Sequence, residues 1–374
     1  MREVLTLDLD KVPVKAGVQY PMVGVYSFGK GLFHREPVDG TICSYNTFNR
    51  LKSEHFVMSQ LFGWEGALAL SSEDFSGLFV SPQFPTFLCE PALNRDYLGY
   101  FTRQPVFWHD LGSRTRGMGD RRRTLNPEAL FACEIPLPDR KEQDQIVAKL
   151  DALSARIDEA RECYRQIEQE ADAMLHSAFA RIIEGAPRMR IADVAPLVRR
   201  PVNTTVDGEY PELGVRSFGK GVFHKPTLLG AELTWQKLFR VHEGDIVISN
   251  IKAWEGAIAV AGPDDDGRVG SHRYLTLVPV EGQVTAGFLC FYLLTAAGLA
   301  GIGQASPGSA DRNRTLGQKA LEAIEVPIPD YDQQAWFDRL QTEVRQVLVA
   351  QQDAETELNT LLSAALDKTF KGEL

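Results

Sequence analysis

The stretch GVYSFGKG (24–31) spells G-x-x-x-x-G-K, all but the last position of a loop that cradles nucleotide phosphates. Two features argue against that chemistry. The residue after the lysine is Gly31, where Ser or Thr must hold Mg²⁺. The following LFHREPVDG (32–40) contains proline and has no helical period, so no helix N-terminus would face a phosphate. Other catalytic patterns are missing as well. NPEA (126–129) is the nearest approach to the Asn-Pro-Pro-aromatic run of an adenine methyltransferase, and it fails. No H-E-x-x-H occurs. GPDDDGR (262–268) lacks the later bidentate Glu of a calcium loop and reads as a solvated turn. Cys43, Cys89, Cys133, Cys163 and Cys290 show no C-x-x-C spacing and fit a reducing compartment. His34 and His224 lack a ligand constellation and read as turn or phosphate-side residues.

The phosphate-loop lookalike occurs twice. GVYSFGKG (24–31) returns as GVRSFGKG (214–221), and WEGALAL (64–70) returns as WEGAIAV (254–260), both 190 residues on. DRRRTL (120–125) matches DRNRTL (311–316), and IPLPD (135–139) matches VPIPD (326–330), now 191 residues on. A nucleotide loop occurs once per domain, whereas a duplicated turn belongs to a tandem repeat. The chain of 374 residues is therefore two copies of one plan.

Each copy opens with a stretch rich in Gly, Pro and aromatic residues, with short strand-like runs such as EGDIVISNI (243–251) and RYLTLVPV (273–280). Each then runs into a long helix after the P-x-P-D motif. In the first helix, apolar or small residues fall at Ile146, Leu150, Leu153, Ile157, Ala160, Tyr164, Ile167, Ala171, Met174 and Ala178. In the second they fall at Phe337, Leu340, Val344, Val347, Gln351, Ala354, Leu358, Leu361 and Ala365, with Gln351 as a polar interruption. This alternation of three and four is a heptad seam. A seam needs a partner, and the duplicate helix is the simplest one; an antiparallel pair would give a pseudo-twofold axis. The net charge of −10 lies almost wholly on the two helices, which leaves the β-rich parts near neutral and free to present a basic face. The most apolar window, AGFLCFYLLTAAGLAGI (286–302), aligns with the charged NRDYLGYFTRQPVFWHD (94–110). Both are expected to be domain helices and not membrane spans. The opening MREVLTLDLDKVPVK carries charges throughout and does not read as a signal peptide.

The layout resembles the specificity subunit of Type I restriction–modification enzymes over nearly the whole chain. The carriers are R-x-x-L and R-T-L (122–125, 314–316), then IPLP and VPIP (135–138, 326–329), then Gln143 and Gln334 near the helix starts. The second helix departs slightly, with Asp332-Gln333-Gln334 in place of the family's Glu-Gln pair. The resemblance implies an α+β chain: two tandem-repeated target recognition domains of β-rich mixed α/β type, separated by two long helices forming an antiparallel coiled coil. The divisions would be 1–138, 139–187, 188–329 and 330–374. It further implies a non-catalytic cytoplasmic subunit that binds a bipartite, asymmetric site on double-stranded DNA. Two adenine-N6 methyltransferase subunits and restriction/translocase subunits would join it. S-adenosylmethionine, ATP and Mg would reside on those partners, none on this chain. The rival reading is a scaffold whose twin domains bind protein.

If the copies share a framework, discrimination belongs where aligned polar residues diverge. Gln60 faces Asn250, Phe62 faces Lys252, Pro82 faces His272, Gln83 faces Arg273 and Tyr26 faces Arg216. Gln and Asn suit adenine edges, and Arg and Lys suit guanine. Residues shared by the copies would grip the backbone: Ser27, Lys30 and Lys220, with Ser59 and Ser249. The same is expected of Arg121, Arg122, Arg123, Arg312 and Arg314, in glycine-containing loops before the helices.

Overall fold

The computed structural model describes residues 1–115, 124–233, 237–308 and 314–373. It divides into two compact units, Met1–Tyr164 with Gln352–Leu374, and Arg165–Gln351.

Both units are built on the same antiparallel trio of strands. In the first, Phe56–Met58 lies between Leu68–Leu70 and Thr86–Cys89, with Leu5–Leu7 added at the edge. In the second, Ile246–Ser249 lies between Ile258–Val260 and Tyr274–Leu277. The register is shared: Phe56 pairs with Leu70 and Val57 with Thr86, as Ile246 pairs with Val260 and Val247 with Thr276. These central strands are buried along their length and apolar except for Ser249, because both faces are covered. A second sheet in the first unit holds the long hairpin Gln19–Val25 and Leu32–Asp39. Its counterpart in the second unit is the shorter pair Leu213–Val215 and Val222–His224.

Two short helices follow the trio in each unit, Arg95–Phe101 and Pro105–Ser113 in one, Ala286–Leu294 and Ala296–Gln304 in the other. The apolar window is thus a bent helix pair with an angle of 77°. Phe288, Leu289, Leu293 and Ile302 are its fully buried residues. Among the described residues, no single helix is long and apolar enough to cross a membrane.

The long helices are Arg140–Ile182 and Tyr331–Phe370, each about 60 Å long at 1.5 Å per residue. A buried glutamine fixes the start of each. Gln143 Oε1 accepts from Asn94 N at 2.7 Å, and its Nε2 donates to Ala92 O and Pro138 O, both at 2.9 Å. Gln334 repeats the set: Oε1 accepts from Thr285 N at 3.0 Å, and Nε2 donates to Gln283 O at 3.0 Å and Pro329 O at 2.8 Å. An amide has one strong acceptor and two donors, and here all are used.

The helix pair is antiparallel. In the first unit Val147 and Leu150, near the start of one helix, share a core with Leu362, Leu366 and Phe370, near the end of the other. In the second unit Phe179, near the end of the first helix, packs its ring 5.4 Å from that of Phe337, near the start of the second. The expected seam holds at Leu150, Ile157, Phe337, Val344 and Gln351, all buried. It fails at Ile167 and Met174 in the first helix and at Val347 and Leu361 in the second, while its last positions, Ala178 and Ala365, pack on the cores. Met174 is 46% exposed and Leu361 45% exposed, while Leu175 and Leu362 join the cores in their place. An α-helix turns every 3.6 residues, so a 3.5-residue seam slides round the surface by about 20° per heptad. The sliding face meets the short helices and strands of its own unit and is buried there.

Candidate nucleic-acid interface

The repeated turn is built the same way in both units. Tyr26 N donates to Gly31 O at 2.9 Å and Arg216 N to Gly221 O at 3.0 Å. Gly24 and Gly214 are required because the rings of Phe33 and Phe223 cover them; a Cβ there would lie 2.4 and 2.5 Å from ring carbons. The turn docks on the WEG segment. Phe28 N donates to Glu65 O at 2.8 Å and Gly29 N to Gly66 O at 2.9 Å; Phe218 N and Gly219 N repeat this on Glu255 O and Gly256 O. These N–H groups are spent on the fold, and a strand follows each turn, so it is no phosphate cradle. Lys30 and Lys220 are exposed at the tips.

Ser27, expected at the DNA backbone, donates to Glu65 Oε2 at 3.4 Å, and its counterpart Ser217 donates to Glu255 Oε2 at 2.9 Å. Ser59 and Ser249 are buried, which corrects their expected place at the surface. Ser59 Oγ instead accepts from Phe62 N at 3.1 Å and holds the loop.

Three segments distant in sequence meet beside this turn. In the first unit Gln60 N donates to Gln83 O at 2.9 Å, and Leu125 N donates to Gln60 O at 2.8 Å. In the second, Asn250 N donates to Arg273 O at 2.8 Å, and Leu316 N donates to Asn250 O at 2.7 Å. The fold thus brings together the divergent pairs Gln60/Asn250 and Gln83/Arg273 with the segment that follows the arginine loops. His272 and Arg273 are exposed in the tight turn between Val269–Ser271 and Tyr274–Leu277. Asn250 Oδ1 is buried without a hydrogen-bond partner, so that end of the amide is not satisfied by the fold.

The remaining cations are partly engaged. Lys252 Nζ lies 2.6 Å from Glu255 Oε1, and this contact is the main cause holding the Glu255 carboxyl below its ordinary range. Arg314 donates to Ser306 O at 3.3 Å and Gly303 O at 3.1 Å and lies 4.8 Å over the Trp254 ring, a brace for its own loop. Arg216 lies 5.1 Å over Phe223, as Tyr26 stacks at 4.1 Å on Phe33. Arg121, Arg122, Arg123 and Arg312 lie outside the described residues.

Sequence reasoning passed over Arg103. It is exposed, and its side chain comes within 3.1 Å of where a Cβ on Gly29 would stand. Its position aligns with Leu294, so the repeat gave no signal. The GPDDDGR segment is a structural turn. Asp265 accepts from His224 Nε2 at 2.8 Å and from Gly262 N at 2.9 Å. No group of three or more potential metal ligands occurs among the described residues.

No family model and no curated protein matches the sequence. Solved structures do. The HsdS subunit from Thermoanaerobacter tengcongensis aligns with a TM-score of 0.59 and 19% identity, over 100% of this chain and 96% of that one. A chain from a structure addressing complex assembly and conformational transition of the type I R-M system aligns at 0.64 and 19%, over 99% and 100%. The chain has the fold of an HsdS subunit. The likeness runs end to end, so the two units and both long helices are parts of that fold.

Proposed function

We propose that the chain is the DNA sequence-recognition subunit of a Type I restriction–modification complex, divided at 1–138, 139–187, 188–329 and 330–374. It binds a bipartite, asymmetric site on double-stranded DNA and does no chemistry of its own. One observation carries this reading: in each unit the same framework joins Gln60 to Gln83, or Asn250 to Arg273, through identical backbone bonds while the side chains differ. Such loops present different base-reading groups from one platform, as two unlike half-sites require.

The partners we assign are two adenine-N6 methyltransferase subunits and restriction/translocase subunits, with S-adenosylmethionine, ATP and Mg bound there, in the cytoplasm. A place for a partner is the open apolar groove of about 370 Å³ on the helix pair in the second unit, lined by Ile167, Met174, Leu340 and Val347 and flanked by Glu170 and Glu343. Docking there would cover Met174 and Val347, which stand 46% and 57% exposed.

The test is duplex binding by the full chain across a salt series. We expect weak binding that falls steeply with salt, since phosphate contacts release counterions. The rival protein-binding scaffold gives no duplex affinity even at low salt.

A further inference from the structure

Phe28 and Phe218 are the only non-glycine residues with positive φ among the described residues, at 63° and 62°. A left-handed backbone penalises a bulky side chain, and Gly or Asn would relieve it. Both rings also face solvent, Phe28 at 62% and Phe218 at 74% exposed, whereas Phe48, Phe56, Phe87, Phe288 and Phe337 are fully buried. Strain and exposure are thus borne twice, at equivalent sites, although neighbouring Tyr26 and Arg216 have diverged. The conformation is enforced: the N–H groups of Phe28 and Gly29, and of Phe218 and Gly219, are tied to the WEG carbonyls. Each ring stands two residues before an exposed lysine, and in the first unit Trp108 stands edge-on to Phe28 with ring centroids 6.2 Å apart.

We propose that Phe28 and Phe218 are apolar DNA contacts, one per unit, each pressing a ring on base or sugar while Lys30 or Lys220 meets phosphate. This rests on the DNA-recognition reading. A cation beside an exposed aromatic suits duplex DNA, where an apolar ring can wedge at a base step or lie on a sugar or a thymine methyl while the cation meets phosphate. A protein interface core is instead depleted in lysine.

The experiment uses the full chain as Phe28→Asn, Phe218→Asn and Lys220→Ala, with duplex DNA at several salt concentrations. Asparagine tolerates the left-handed backbone, so Tm should hold or rise. Duplex affinity should fall at least about fivefold, the low end for loss of one base contact on a duplex. The salt slope should stay unchanged for both Phe variants and shrink for Lys220→Ala. If Lys220→Ala weakens binding and the Phe variants do not, the rings do not touch DNA and the proposal is overturned while DNA recognition stands. A drop in Tm for the Asn variants would assign the rings to the fold, which also overturns it. Absence of any duplex binding by the unsubstituted chain would remove the DNA reading and this inference together.

Discussion

On the proposed DNA-recognition reading, Lys220 and Arg273, both exposed cations of the second unit, take different roles. Lys220 has its twin in Lys30 and cannot by itself distinguish two half-sites. Arg273 aligns with Gln83 and can. Lys220→Ala should weaken binding to all sequences alike and reduce the salt slope by about one contact, read by anisotropy across salt. Arg273→Ala should cost about 1–3 kcal/mol on the cognate site and relax one base pair. The charge of Asp338 gives a separate check on the fold. Burial pushes its carboxyl up, against the opposing hydrogen bonds of Thr285, Gly287 N and Phe288 N. A carboxyl raised in the folded state binds its proton more tightly there, so it favours the fold at low pH and this contribution is lost as pH rises through the folded value. The Tm of Asp338→Asn relative to the unsubstituted chain should therefore shift in the variant's favour as pH rises from acid to 7; a difference that does not move with pH would contradict the assignment. At this scale the sequence was partly legible. Gly31 and Gly221 were enough to dismiss the phosphate loop. The use of Ser27 by Glu65 was not visible, because the partners are 38 residues apart and meet only through tertiary docking.

Among the elements, the long helices carry the plainest signal, a seam sustained without Pro or Gly. Their starts are the critical points. Gln143→Ala strands Asn94 N, Ala92 O and Pro138 O and should cost about 2–4 kcal/mol in chemical denaturation, with Gln334→Ala alike. Leu366→Ala, 4% exposed in the core of the first unit, should cost about 2–4 kcal/mol, whereas Leu361→Ala at 45% exposure should cost little. A strict heptad reading predicts the reverse order. That reading missed the change of face because periodicity reports where a helix is apolar and not which neighbour covers it. The glutamines were noticed through the resemblance, but their three hydrogen bonds follow only from the placement of Pro138 and Pro329 beside the domain helices.

For the whole molecule, duplication was legible from shared motifs, and the shift from 190 to 191 falls between the strand trio and the short helices, where Thr86 aligns with Thr276 but Asn94 with Thr285. The central claim is that two like units read two unlike half-sites. It is tested most directly by selecting duplexes from a randomised library with the full chain, together with the methyltransferase subunits proposed as its partners, and repeating this with Arg273→Ala. The account predicts two specified blocks at fixed spacing, with Arg273→Ala relaxing a position in one block and leaving the other intact. A single contiguous block, or relaxation of both blocks by Arg273→Ala, would contradict it.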